Sequence, residues 1–464
     1  MAETSMNATP DIACGRLSAL ELSQNFADAH PTLTAPQAAL EADRCLYCFD
    51  APCMEACPTS IDIPKFIKAI ASGNLAGSAR TILESNILGG SCARVCPTEI
   101  LCEQVCVHNS LEAGKPVRIG ALQRFATDWQ MDHGGQPFTR APLTGRRVAV
   151  VGAGPAGLAC AHRLAMHGHD VVLFDRHTQP GGLNSYGVAA YKLADDFAQR
   201  EVAFLMEIGG ITFQGGVTVG RDVTVSALAV EYDAVFLAMG LAGVRALGLA
   251  GETLDGVMDA VSFIETLRSN DKKDVPVGRR VVVIGGGNTA VDAAVQARRL
   301  GADEVTLVYR RGVEHMSATS VEREWAQTNG VTVRLWAAPQ GLLSEDGALT
   351  GIAFARGRAG ADGRVVYDPE DSFTLAADMV LKAIGQVFLP AHAEGEHIAV
   401  EGGRIVVDAQ YRTSMPGVYA GGDCIVGEDL TVAAVRDGRD AAEAIDKALR
   451  AGDGRGRGVE QENG

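Results

Sequence analysis

The sequence predicts a cysteine-rich helical segment followed by two Rossmann-like α/β domains, and three observations carry that expectation. Eight of the 11 cysteines fall between Cys45 and Cys106. From about residue 145 onward, short β-branched runs alternate with helical patterns, as parallel sheets require. Within that stretch a strand, glycine loop, helix and second strand occur twice in the same order.

In the first copy Arg147–Val151 leads into Gly152-Ala153-Gly154-Pro155-Ala156-Gly157, a helical run and the strand-like Val171–Asp175. In the second, Arg280–Ile284 leads into Gly285-Gly286-Gly287-Asn288-Thr289-Ala290, a helical run and Val305–Tyr309. A further shared pattern follows each: Asp233-x-Val235-x-x-Ala238-x-Gly240, then Asp378-x-Val380-x-x-Ala383-x-Gly385. One copy is weak; two in register imply two related dinucleotide-binding domains.

The chemistry follows from the loops. Gly152 makes the tight turn, Gly154 lets backbone approach a pyrophosphate, and Gly157 lets helix and strand pack closely. Amides at the new helix N-terminus face the diphosphate. Asp175 closes the second strand 18 residues beyond Gly157, where an acid can hold ribose hydroxyls. The second loop has no such acid; its strand ends in Tyr309-Arg310-Arg311. Guanidinium groups can hold a 2′-phosphate, although the same arginines can equally stack on adenine or lie solvated.

The cysteines read Cys45-x2-Cys48-x4-Cys53-x3-Cys57-Pro58, then Cys96-Pro97-x4-Cys102-x3-Cys106, with Cys92 just before the second group. Graded spacings of this kind suit [4Fe–4S] cubes, each needing four ligands. Zinc usually brings two tidy pairs, and disulfides suit small secreted domains. Two cubes need eight ligands, so either Cys92 or another residue completes the set.

Composition narrows the class. A net charge of −16 offers no basic patch for nucleic acid. No apolar run is long enough to span a membrane, and the first residues lack a secretory pattern, so a cytoplasmic enzyme is expected. Cys160 and Cys424 stand alone, which argues against a disulfide-reductase mechanism.

With these motifs in view, residues from about 40 to 450 resemble the electron-input half of dihydropyrimidine dehydrogenase, a separate subunit in bacteria. The glutamate synthase small subunit shares the architecture. The resemblance implies a two-dinucleotide-binding flavoprotein. Its expected layout is an α-helical iron–sulfur domain (1–143), an FAD-binding domain (144–250 and 386–450), an NAD(P)H-binding domain (251–385) and a disordered tail (451–464). It implies that Val418-Tyr419-Ala420-Gly421-Gly422-Asp423 holds the ribityl and phosphate part of FAD. Gly181-Gly182-Leu183, Lys192 and Thr431 join that site. For NAD(P)H, Gly285, Gly287, Asn288, Thr289, Arg310, Arg311, Ala383 and Gly385 are expected.

By the same resemblance Cys45, Cys48, Cys53 and Cys106 hold one cube. Cys57, Cys96, Cys102 and Gln123, in Ile119-Gly120-Ala121-Leu122-Gln123, hold the other, leaving Cys92 a packed free thiol. Glutamate synthase small subunits use a glutamate as the non-cysteine ligand. The implied reaction carries hydride from NAD(P)H, NADH favoured, to FAD. Single electrons then pass through the two cubes to an FMN- and iron–sulfur-containing, uracil-binding partner, in a heterodimer or heterotetramer. Hydride passes directly between stacked rings, so no catalytic side chain is nominated. The alternatives are a glutamate synthase-like electron donor and a nucleotide-binding module with structural clusters.

Overall fold

This computed structural model describes residues 11–111, 114–360, 365–388 and 398–452. The chain forms two compact units. One comprises His30–Ser185, Asp196–Ala242 and the stretch from Phe388; the other comprises the residues up to Ala29, Tyr186–Asp195 and Gly243–Val387.

The first unit begins with helices. Helix α1 (Ile63–Ala71) is started by the Asp62 carboxylate, which accepts from the Lys65 amide at 3.1 Å. Phe66, Ile67 and Ile70 line its buried face. Next come α2 (Leu75–Ser85), capped by Asn74, then α3 (Gly89–Val95) and α4 (Ile119–His133). Phe66, Ile67, Ile82 and Leu122 form a core in which Cys57 and Cys102 are buried and on which Cys45, Cys53 and Cys106 pack.

A parallel sheet follows in the same unit. Its strands are β1 (Arg147–Val151), β2 (Asp170–Asp175), β3 (Ile211–Gly215), β4 (Ala234–Leu237) and the late strand Val418–Ala420. Their order is Val418–Ala420, β4, β1, β2, β3. α5 (Pro155–Met166) crosses over from β1 to β2, and α6 (Phe197–Met206) precedes β3. The C-terminal helix Thr431–Ala451 lies against α5, where Gly438 meets the Ala156 backbone so closely that a Cβ would collide with it. Beyond that helix, 453–464 of the expected tail lies outside the described residues.

The second unit has its own parallel sheet, ordered Val257–Asp259, Met379–Ala383, Arg280–Gly285, Glu304–Val308, Thr332–Arg334. An antiparallel sheet of Ala337–Glu345, Ala348–Ala359 and Val365–Ala376 is inserted ahead of Met379–Ala383. Tyr191, fully buried, brings Tyr186–Asp195 into this unit; its carbonyl accepts from Ala29 N at 2.9 Å.

The repeat has a structural reason. Asp233 accepts from the Arg147 amide at 2.8 Å, and Asp378 accepts from the Arg280 amide at 3.0 Å. In each unit the same carboxylate ties the start of one strand to the start of the loop-bearing strand beside it. Among the described residues no helix is long and apolar enough to cross a membrane.

Candidate functional site

The first glycine loop is built by exclusion of side chains. Gly152 has φ +103°, and a Cβ on Gly157 would strike the Gly152 carbonyl. Gly154 caps α5, whose first residues are Pro155 and Ala156, so the helix amides open onto the loop. Gly182 (φ +53°) lies against Gly154, and Gly422 against Ala156. Three distant motifs therefore meet at one helix start. Leu183 opens the short helix after Gly182, and Thr431 opens the C-terminal helix after Asp423.

Two acids flank this site. Asp175 accepts from Ala153 N at 2.7 Å and from His177 N at 2.8 Å. Burial raises its pKa, but the His177 and Ala153 hydrogen bonds outweigh that and hold it below the usual carboxylate range. Asp423 goes the other way: burial and the neighbouring Asp429 push it up to about 6 despite Arg404. The Arg404 guanidinium also donates to the Asp423 and Ile425 carbonyls and pairs with Asp429.

In the second unit Gly285 sits against the Ala383 carbonyl, Gly286 against the Tyr309 ring, and Gly287 caps helix Asn288–Arg299. Thr289 is its second residue. Asn288 Oδ1 is buried without a hydrogen-bond partner among the described residues, an acceptor that a bound dinucleotide can satisfy. Gly385 accepts through its carbonyl from Arg245 N at 3.1 Å. Arg310 and Arg311 are held by backbone, the Arg310 carbonyl accepting from Tyr367 Oη at 2.7 Å and the Arg311 carbonyl from Trp336 N at 3.1 Å. Lys192 belongs to this unit rather than to the first loop. Its ammonium pairs with Asp292 at 2.8 Å and Glu322 at 2.7 Å, which raise its pKa against the opposing effect of burial.

The cysteines fall into two neighbourhoods. Cys45 lies within electrostatic reach of Cys48 and Cys106, and Cys53 of Cys45, Cys106 and Cys48. Cys96 lies within reach of Cys92, Cys102 and Cys57, and Cys102 of Cys57 and Cys53. Burial pushes the Cys53 thiol up to about 12 and that of Cys102 well up too, while the Cys96 thiol is raised first by the neighbouring Cys92 side chain and then by burial. Iron bound by the thiolates would offset that cost. Among the described residues no three ligand-type side chains converge as one ion needs. The loop around Cys48 carries Tyr47 and Ala51 at φ +52° and +35°, left-handed backbone that turns the chain sharply within the first cysteine group.

Gln123 is buried on α4, and its Nε2 donates to the Gly89 carbonyl at 2.7 Å. That bond turns the amide nitrogen toward α3 and leaves Oε1 as the end able to ligate iron. Glu103, between Cys102 and Cys106, accepts from Gly120 N at 3.0 Å and so ties the start of α4 to the cysteine loop.

Sequence reasoning missed Glu201. From α6 its carboxylate accepts from Gly90 N at 2.9 Å, Ser91 N at 3.0 Å and Ser91 Oγ. Its signal was an acid on the apolar stripe Phe197, Ala198, Val202, Leu205 of a helix. Arg94 of α3 in turn lies over the Phe197 ring at 3.4 Å.

The pyridine nucleotide-disulphide oxidoreductase family model matches residues 146–438, more than half of the chain. The chain belongs to that family. A second model, dihydropyrimidine dehydrogenase domain II with a 4Fe-4S cluster, matches residues 22–135. This oxidoreductase is 36% identical over 448 residues to the glutamate synthase [NADPH] small chain of Escherichia coli K12, covering 90% of this chain and 93% of that one. It is 35% identical over 425 residues to the NAD-dependent dihydropyrimidine dehydrogenase subunit PreT of the same organism, covering 91% and 97%. Mycobacterium tuberculosis FprA in complex with NADPH shares the fold at TM-score 0.56 and 22% identity, over 68% of this chain and 87% of that one. The protein is therefore an NAD(P)-dependent flavin and iron–sulfur oxidoreductase, with a [4Fe–4S] domain ahead of FAD- and NAD(P)-binding domains. Cys160 and Cys424 are buried and unpaired, so neither forms a disulfide beside the first loop.

Proposed function

We propose that this chain is the electron-input subunit of an NAD-linked, cytoplasmic dihydropyrimidine dehydrogenase, passing electrons to an FMN- and iron–sulfur-containing partner that reduces uracil or thymine. The observation that carries the reading is the placement of the second cysteine group. Cys96 packs against the core that includes Val150, Ala153 and Ala156 of the first loop, whereas Cys57, Cys102, Cys45, Cys53 and Cys106 all pack in or on the helical core. In this reading Cys57, Cys96, Cys102 and Gln123 hold the cluster nearer the flavin site, with Cys96 the member on that side, and Cys45, Cys48, Cys53 and Cys106 the outer one. Leu46 and Phe49, beside the outer group, are exposed and offer an apolar surface to a partner.

The flavin supplies the exchange of two-electron for one-electron transfer. The protein's residues do the holding. The helix start after Gly154 takes the flavin diphosphate, with Gly182, Leu183 and Thr431 closing the site. Asp175 faces ribose hydroxyls and Asp423 the ribityl chain. The helix start at Gly287, with Asn288 and Thr289, takes the nicotinamide dinucleotide. Arg310 and Arg311 extend that site to a 2′-phosphate, with NADH the favoured donor.

The glutamate synthase small chain is as similar to this protein as PreT is, which favours a second reading as the donor to a glutamate-forming partner. Purified chain combined with each class of partner separates them. Uracil-dependent NADH oxidation supports the first reading. Oxidation that needs 2-oxoglutarate and glutamine supports the second and overturns the first.

A further inference from the structure

Thr59 is completely buried, and its hydroxyl oxygen lies 3.4 Å from the Cys57 sulfur two residues back. A tight turn sets that approach: the Ser60 amide donates to the Cys57 carbonyl at 2.8 Å, and Ser60 stands in left-handed backbone at φ +53°. The turn is pinned from a distant element. Arg439, on the C-terminal helix Thr431–Ala451, donates through Nη1 to the Thr59 carbonyl at 2.8 Å and to the Ser85 carbonyl at 2.9 Å. Among the described residues the Cys57 sulfur is the one hydrogen-bond partner of the Thr59 hydroxyl.

Between a neutral thiol and a hydroxyl either group can donate. A sulfur that binds iron is a thiolate and can only accept. With Cys57 in that role, the hydrogen in the contact belongs to Thr59. We propose that Thr59 is a positioning residue of the inner cluster: its hydroxyl, held in place by Arg439, donates O–H···S to the iron-bound Cys57 sulfur and raises that cluster's reduction potential. Reduction adds one electron to the cluster while the proton stays on Thr59 Oγ1, and the donor stabilises the more negative, reduced state. Arg439 ties this turn to the flavin site, because its helix opens with Thr431. The inference rests on Cys57 ligating the inner cluster, not on the identity of the final electron acceptor.

The test brings the anaerobic holoprotein to a series of fixed potentials and reads each cluster by electron paramagnetic resonance, with iron and sulfide quantified. Thr59→Val keeps the branched shape and loses the donor. In it the reduced-to-oxidised ratio of the inner cluster at a fixed potential falls roughly two- to tenfold, as expected for one hydrogen bond. The outer cluster does not move and iron content stays whole. Thr59→Ser keeps a donor and restores most of the wild-type ratio; Thr59→Ala behaves as Thr59→Val. An unchanged inner-cluster ratio in Thr59→Val and Thr59→Ala overturns the proposal. So does loss of the inner cluster's iron in both, which would make the hydroxyl a requirement of assembly rather than a lever on potential. Full iron in Cys57→Ala overturns it too, since Cys57 would then be no ligand. Failure of uracil reduction sinks the partner assignment alone and leaves these potentials as they are.

Discussion

Glu201 accepts the backbone hydrogen of Ser91 at 3.0 Å, joining the helix ahead of β3 to the helix that carries Cys92 and Cys96. The contact is fully buried, and it fixes the cluster-bearing segment against the flavin-binding sheet.

That carboxylate should also be felt in stability. Burial pushes Glu201 up to about 7, against the opposing effects of Ser91, Gly90 and Arg94. Because the folded pKa is raised above the ordinary 4.5, the group's contribution is fully present below about pH 4.5 and is lost as pH rises through about 7. The wild type therefore loses stability on the order of a few kcal/mol more than Glu201→Gln across that window. Denaturant unfolding of both proteins at several pH values checks this; parallel pH profiles contradict it.

Gln123 gives a second expectation. With Gln123 as the proposed oxygen ligand, Gln123→Ala should release about four irons of roughly eight, while the outer cluster keeps its spectrum. Gln123→Glu retains iron but adds a negative charge, lowering the inner potential. Full iron and an unaltered spectrum in Gln123→Ala remove this residue from the ligand set.

Arg310 and Arg311 make no ion pair among the described residues and stand beyond Val308, where a 2′-phosphate would lie. Replacing both by Ala should raise KM for NADPH about tenfold or more and change KM for NADH less than about twofold. Equal effects on the two cofactors would show that these arginines do not read the phosphate.

Lys192 is the third member of a buried cluster with Asp292 and Glu322. Lys192→Met leaves two carboxylates facing each other without a cation, a loss of about 3–5 kcal/mol. Lys192→Met with Asp292→Asn and Glu322→Gln recovers most of it, as thermal unfolding would show. Wild-type stability in the single variant contradicts the network.

Much of this was legible in the sequence, because glycine spacing and strand period state backbone requirements directly. The duplicated Asp233 and Asp378 patterns looked like markers of ancestry; the structure shows both doing one mechanical task, capping the loop-bearing strand. Cysteine spacing announced iron but not that Cys57 and Cys102 are buried while Cys45 and Cys106 are only partly so, since burial is set by how distant helices pack. Glu201 carried only the faint signal of an acid on an apolar stripe. Lys192 illustrates the converse: the family resemblance placed it with the flavin residues, and the fold gives its charge to Asp292 and Glu322, 100 and 130 residues away in sequence.

The order of electron flow is best tested by anaerobic titration of the purified chain with NADH, then NADPH, following flavin and iron–sulfur absorbance together. The account predicts bleaching of the flavin band by nicotinamide, followed by cluster reduction with the inner signal ahead of the outer. A flavin band untouched by either cofactor, or clusters that stay oxidised once the flavin is reduced, would contradict it.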